Sequence, residues 1–529
     1  MPTTSLWLET SPPIATDTFE WDGHYDTIVV GAGLTGLATA LMLARVGMRV
    51  LVLEARTVGA VTTGNTTGKV SLLQGTTLSS IRRHSSDTVL CAYVDGNTAG
   101  QGWLLDFLEE QRVPFEVRDA VTYATTLDGL DKLDAELAAA RVAGLDATEE
   151  RSTELPFPVE GALTLGGQAQ IHPLKALAAL AAELRRLGGR IVEGERVTDV
   201  SASKPVVVTS TSGTSRADHV VLATGTPILD RGLYFAKVEP SRSYVTAYRV
   251  PGEIPQGMYL SADSPTRSLR TAVSADGDQL LLVGGNGHPA GRADSPAEKL
   301  ADLSAWAERT FPGAVRTHWW AAQDYRSANR VPFVGWLPRG RGRVYLATGY
   351  DKWGMTNAVA SALSLTADLT GETLEWARVL HHRVTRPVDI ASGVAMNAGV
   401  GKAAVSEWTS AETAPELGDT PVGEGTGTVG RRGRTPVAVS TVDGTTCALT
   451  AVCSHLGGVV RWNDAELSWD CPLHGSRFAP DGTVLEGPAT QPLSPAPPAK
   501  ADEGAAGHRG GATDDAAGAG SAGSDTPSA

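Results

Sequence analysis

Residues 25–55 read YDTIVVGAGLTGLATALMLARVGMRVLVLEA. An apolar strand, residues 27–30, runs into the glycine turn GAGLTG. A helix of small and apolar residues follows, and a second strand ends at Glu54, so the pattern is a βαβ unit. Gly31, Gly33 and Gly36 fill G-x-G-x-x-G in the context that gives this motif meaning. Gly31 permits the tight turn, Gly33 lets the backbone approach a pyrophosphate, and Gly36 lets helix pack on strand. Glu54 stands where a carboxylate can hold ribose hydroxyls. The segment reads as a dinucleotide site, against the alternative of a glycine turn made for packing alone.

Outward from this unit, residues 86–112 and 129–143 have helical composition and apolar spacing. GGQAQIHPLKALAALAAELRRLGGRIVEGERVTDV (166–200) reads as strand, helix from about Pro173, glycine stop, and strand. Strand-like runs at 205–209 and 219–223 lead to VVLATGTP, with Ala223, Thr224 and Gly225. Between about 233 and 348, β-branched and aromatic strands predict an antiparallel sheet. RVYLATGY then enters DKWGMTNAVASALSLTADLTGE, a turn and helix, so distant segments close the first domain. The expected division is 1–376 for this interleaved unit, a linker at 377–412, a compact β-rich domain at 413–495, and a disordered Ala/Gly/Pro/Ser/Asp-rich tail at 496–529. There is no internal repeat.

The second motif lies in the β-rich segment: CSHLGG at 453–458 and CPLHGSRF at 471–478. Cys453, His455, Cys471 and His474 are four potential metal ligands. A zinc site is the competing reading, but zinc fingers pair Cys with Cys and His with His. Interleaved C-x-H and C-x-x-H loops resemble the Rieske family, in which two Cys hold one iron of a [2Fe–2S] cluster and two His the other. The resemblance implies those four ligands. Respiratory members carry a bridging disulfide where Gly458 and Leu473 stand here. Ser476 is retained as a donor toward a cluster sulfur, whereas Phe478 replaces a tyrosine. Fewer donors imply a potential below the respiratory values. A Rieske oxygenase would need a mononuclear iron domain after the cluster; only His508 follows.

Residues 166–200, VVLATGTP, DYRSANRVPFVGWLP (324–338) and ATGYDKWGMTN (347–357), in this order along the chain, resemble flavoprotein oxidoreductases of the D-amino-acid oxidase/glycine oxidase type. The resemblance implies FAD and a substrate domain on an antiparallel sheet. It places Gly349, Trp353, Gly354, Met355 and Thr356 beside the flavin ring, where a helix N-terminus stabilises negative charge. Relatives that bind FAD covalently use a histidine in a Thr-rich stretch. Here VTTGNTTGKV has Asn65 at that place, so the FAD is expected to be noncovalent. The only candidate for a second, nicotinamide-binding fingerprint, LLVGGNGHPAGR, is broken by Pro289. The whole order, including SLWLET at 5–10, resembles bacterial FAD-dependent oxidoreductases with a C-terminal Rieske domain.

The expected fold is thus an α/β FAD-binding Rossmann-type domain with an antiparallel-sheet substrate domain and a small all-β Rieske domain. The expected activity is oxidation of a small organic substrate, an amine or amino acid, with electrons passing from FAD through the [2Fe–2S] cluster to an external one-electron acceptor, a protein or a quinone. The alternatives are an electron-transfer component without its own organic substrate, and a redox sensor. No residue is assigned as catalytic; Tyr244, His288, Trp320, Tyr325, Arg330 and Lys352 are candidates for a pocket, each equally at home in core or surface.

Composition narrows the setting. A chain of 529 residues with net charge −14 offers no basic face for nucleic acid. Four cysteines, Cys91, Cys447, Cys453 and Cys471, argue against a disulfide framework and for a reducing compartment. No apolar run is long enough for a bilayer, and the first residues resemble no secretory signal. A cytoplasmic protein is expected.

Overall fold

The computed structural model describes residues 4–21, 23–382, 387–418 and 421–499. The expected tail, from residue 500 onward, lies outside the described residues.

The opening βαβ unit is the centre of an eight-stranded sheet. His24–Val30 pairs in parallel with Val50–Leu53 on one side and with Thr214–Leu222 on the other. Arg190–Val192 and Val344–Thr348 extend the parallel run outward. Strands drawn from positions far apart in the chain therefore close one domain, as the late glycine-turn–helix segment predicts. Val50–Leu53 is buried at every residue, the pattern of a parallel strand covered on both faces. Helix Leu34–Arg45 packs on it and against helix Gly354–Thr370, and Asp87–Glu110 crosses the latter. At that crossing a Cβ on Gly100 would stand 2.6 Å from the Thr356 carbonyl oxygen, so the helices meet backbone to backbone.

The second sheet has nine strands. Val238–Arg249, Met258–Ser261, Arg267–Val273, Gln279–Pro289 and Val315–Ser327 form the expected antiparallel array. Phe115–Ala124 and Gly161–Ile171 join it through one parallel pairing, between Met258–Ser261 and Phe115–Ala124. The substrate domain thus recruits strands from the first third of the chain.

The stretch expected as a linker is largely helical: Glu375–His381, then Pro387–Thr413. The latter's C-terminal half packs on the last domain, where Ala411 is buried and Trp408 donates its indole N–H to the Gly457 carbonyl at 3.0 Å. That domain comprises two antiparallel sheets, of three and four strands, around Trp469, Phe478 and Val460. No described helix is long and apolar enough to cross a membrane.

Candidate active site and metal centre

The glycine turn is as tight as its spacing requires. A Cβ on Gly31 would sit 2.5 Å from the Ala223 carbonyl oxygen, and one on Gly36 only 1.9 Å from the Gly31 oxygen. Gly33 caps helix Leu34–Arg45, whose N-terminal residues Leu34 and Thr35 line a cavity of about 750 Å3, within the range of ligand sites. Gly31, Gly33, Glu54, Ala223, Thr224, Gly225, Trp353, Gly354 and Met355 all line it. Gly36, Gly349 and Thr356 stand behind this lining. Gly36 serves helix–strand packing, and Thr356 joins a buried network through its hydrogen bond to Asn97.

Glu54 Oε2 accepts from the Ala32 amide at 2.8 Å, and Oε1 from the Arg56 amide at 2.9 Å. Burial pushes its carboxyl above the usual range against these donors. Asn65 lines the cavity, but its amide turns back to donate to the Val61 carbonyl at 2.6 Å. The N-terminal helix Leu6–Thr10 buttresses this loop, with the Trp7 indole donating to the Thr66 carbonyl at 2.7 Å.

Of the pocket candidates, Tyr244, His288, Tyr325, Arg330 and Lys352 reach the cavity. Trp320 is core: it is fully buried and donates to the Asn65 carbonyl at 2.8 Å. His288 stacks on Tyr244 at 5.7 Å between centroids, and burial lowers its pKa, keeping it neutral. Arg330 is paired with Asp351. Arg330, Asp351 and Lys352 adopt φ of 64°, 46° and 72°, left-handed conformations rare outside glycine that concentrate at functional sites.

Two lining residues carried no motif signal. Lys69 Nζ donates to the Tyr259 carbonyl at 2.7 Å and the Ser268 hydroxyl at 2.8 Å, both neutral. Burial, with Arg270 nearby, brings it down to about 7. Asp324 is pushed up to about 6 by burial, against the amides of Lys352 and Tyr325. Position alone offered a hint: Lys69 ends the Thr-rich stretch, and Asp324 begins DYRSANR.

The two ligand loops are built alike. The Cys453 amide donates to the Gly458 carbonyl and the Cys471 amide to that of Ser476, each at 2.8 Å. In return, Gly457 and Gly475 donate to the Cys453 and Cys471 carbonyls, each at 3.1 Å. The buried thiols lie together, and Cys471, raised well above its ordinary range, draws Cys453 down to about 7. The imidazoles of His455 and His474 form the other pair, 5.1 Å between centroids. Among the described residues no three His, Cys, Asp or Glu gather at one point. A thiol pair and an imidazole pair fit a binuclear cluster with two ligands per iron. A Cβ on Gly458 would meet Leu473 at 2.7 Å, so the two positions read as a missing disulfide do face each other.

The domains share the cavity. Leu485, Glu486, Gly487 and Thr490 of the last domain form part of its wall. Nearby, Arg242, only 1% exposed, binds Glu466 and Glu486 across the domain boundary, and Arg477 ties both to Asp470.

Fold and site together define a flavoprotein oxidoreductase with an attached Rieske domain. The FAD dependent oxidoreductase family model matches residues 26–369, and the Rieske [2Fe-2S] domain model residues 415–497. The chain belongs to the FAD dependent oxidoreductase family, which binds FAD, and its Rieske domain binds a [2Fe–2S] cluster. It is 30% identical over 495 residues to the putative Rieske 2Fe-2S iron-sulfur protein YhfW of Bacillus subtilis (strain 168), covering 93% of this chain and 96% of that one. It is 25% identical over 357 residues to gamma-glutamylputrescine oxidoreductase of Escherichia coli (strain K12), covering 63% and 80%. The fold is similar to that of glycine oxidase from Geobacillus kaustophilus, with a TM-score of 0.57 and 20% identity over 67% of this chain and 96% of that one.

Proposed function

We propose that this oxidoreductase removes two electrons from the nitrogen-bearing carbon of a small amine or amino acid and passes them singly through its Rieske cluster to a one-electron acceptor, a redox protein or a quinone. The observation that carries this proposal is the shared wall: the domain bearing the cluster ligands closes the cavity lined by the nucleotide-binding turn. The amine class rests on the relative that acts, by its name, on gamma-glutamylputrescine, and on the glycine oxidase fold.

FAD supplies a two-electron acceptor for a hydride. Gly31, Gly33, Glu54, Ala223, Thr224 and Gly225 are the residues proposed to hold it, with the N-terminus of helix Gly354–Thr370 toward its ring. Ser243 Oγ and Tyr244 Oη, buried on the lining without hydrogen-bond partners, suit a polar ligand there. The site must take a proton from an ammonium substrate before its C–N carbon can be oxidised. Asp324 and Lys69, with pKa values of about 6 and about 7, are poised near neutral pH to do so. Lys352 is a cation available to a substrate carboxylate. Unpaired thiols throughout suit a reducing, cytoplasmic setting.

The test is anaerobic flavin bleaching by a panel of amines and amino acids, in wild type and in Lys69→Met, Arg330→Ala and Lys352→Ala. A substrate that bleaches the wild type and loses affinity in a lysine variant supports the proposal. If no amine or amino acid bleaches the flavin but a reduced partner protein does, the chain is an electron-transfer component.

A further inference from the structure

His455 and His474 are the two ligands assigned to one iron of the cluster, so whatever packs on their rings lies directly beside that iron's ligands. Here their neighbours belong to the oxidoreductase domain. The His455 side chain is only 8% exposed, and His474 as a residue only 7%. The Phe235 ring lies 4.9 Å from His474 and 5.7 Å from His455, between centroids. His455 Nε2 meets Asp230 Oδ1 at 3.0 Å.

Beside this cap runs a bridge to the cavity. Gln323, 1% exposed, donates from one Nε2 to the Tyr325 hydroxyl at 3.1 Å and to the Gly475 carbonyl at 2.8 Å. Gly475 follows the ligand His474 directly, and Tyr325 lines the cavity against Gly225. The contact is too close for side chains on either side. A Cβ on Gly475 would stand 2.5 Å from Pro240, and one on Gly291 2.8 Å from the Cys471 carbonyl carbon. Arg292 Nε pins the same loop by donating to the Pro472 carbonyl at 2.8 Å.

We infer that the histidine face of the cluster is its electron-input face, committed to this chain's own cavity, and that Gln323 is the positioning residue coupling Tyr325 to the loop of His474. Asp230 and Phe235 close that face to outside partners, so the external acceptor must engage the domain elsewhere. This rests on the function proposed above. The balance is two electrons and two protons lost when an amine becomes an imine. The electrons leave as two single transfers to the one-electron acceptor, and the protons go to solvent.

The test uses the full-length holoprotein. A light flash with EDTA reduces the flavin anaerobically, and bleaching of the cluster is followed in time. Gln323→Leu is expected to slow that bleaching by about tenfold, equivalent to about 1.4 kcal/mol of barrier, while FAD content, iron content and the cluster EPR spectrum stay unchanged. Asp230→Asn removes a negative charge from beside His455 and is expected to raise the midpoint potential of the cluster, measured by EPR-monitored titration. Should Gln323→Leu lose its cluster, Tyr325→Phe, which removes only the phenol end of the bridge, takes its place with the same expectation of slower bleaching. An undiminished rate in these bridge variants together with an unmoved potential in Asp230→Asn overturns the inference but leaves the proposed function standing. A wild-type cluster that never bleaches after the flash defeats both.

Discussion

Removing Arg242 should undock the Rieske domain. This guanidinium projects from strand Val238–Arg249 of the substrate domain into a group formed by Glu466, Asp470, Arg477 and Glu486 of the other. Its Nε donates to Glu466 Oε2 at 2.8 Å and its NH1 to Glu486 Oε1 at 3.1 Å. Burial alone would raise Asp470 and Glu486; Arg477 and Arg242 instead hold both below the usual carboxylate range. Arg242→Met takes this buried group from one excess negative charge to two. Breaking a buried ion pair by removing one partner costs about 3–5 kcal/mol. For a domain of this size that lowers the cluster-domain melting midpoint by more than about 10 °C. The assay is thermal melting followed separately by cluster absorbance and by flavin fluorescence. Wild type should show the two signals lost together, and Arg242→Met the cluster first. Arg242→Lys, which keeps charge but loses the bidentate fork, should fall between. Because the native carboxyls are depressed, the stability they lend is present above their unfolded pKa and lost as pH falls through the folded one. The gap between wild type and Arg242→Met should therefore close toward acid pH. Adding Glu466→Gln and Glu486→Gln to Arg242→Met should recover part of the loss, since the cost is unpaired charge. A cluster transition unmoved in Arg242→Met at neutral pH refutes the reasoning.

Acid precipitation should release the FAD, because Asn65 offers no histidyl nitrogen; yellow fluorescence retained on the denatured chain would contradict this. Cys453→Ser or His474→Ala should abolish the cluster EPR signal while FAD content and anaerobic bleaching by substrate persist and turnover with a one-electron acceptor falls; undiminished turnover would take the cluster out of the electron path. Glu136, buried and raised by desolvation to about 7, accepts from the amides of Leu78 and Ser79 at 3.0 and 2.7 Å. Its raised pKa contributes stability that is full below the unfolded value and lost as pH rises through about 7, worth up to about 3 kcal/mol. Glu136→Gln should flatten the melting midpoint between pH 5 and pH 8; an unchanged pH dependence would count against that proton.

The legible parts of this protein are those where local chemistry leaves one choice. GAGLTG could only be a tight turn, and the structure places Gly31 and Gly36 where a Cβ would strike a carbonyl oxygen. CSHLGG and CPLHGSRF were legible because ligand identity and spacing reside within each loop. The return of the chain at ATGY was legible because a glycine turn and helix recur there. What stayed hidden depends on long-range pairing. Phe115–Ala124 joins the substrate sheet through a parallel neighbour from residues 258–261, and nothing in its own pattern names that partner. Most of the stretch expected as linker, 377–412, is helical, and its Val400, Ala403, Ala404 and Ala411 pack on the Rieske core. Lys69 and Asp324 owe their shifted pKa values to burial by distant segments, and Gln323 is an ordinary strand residue until Gly475 is brought against it.

The motifs read as two modules, but the packing does not divide where the sequence does. Arg242 and Gln323, each 1% exposed, make their hydrogen bonds to Glu486 and Gly475 of the Rieske domain. Cutting the chain before residue 413 would expose a guanidinium without its carboxylates and open the cavity along Leu485–Gly487. In such a cavity an imine product would meet bulk water where it is formed, and the electrostatics of Lys69 and Asp324, which depend on exclusion of water, would relax toward ordinary values. In the function proposed above the cluster domain does more than receive electrons: it closes one wall of the cavity that Lys69 and Asp324 line and keeps bulk water from it. Loss of the whole domain should consequently alter the pH dependence of flavin bleaching, whereas loss of the cluster alone through Cys453→Ser should not.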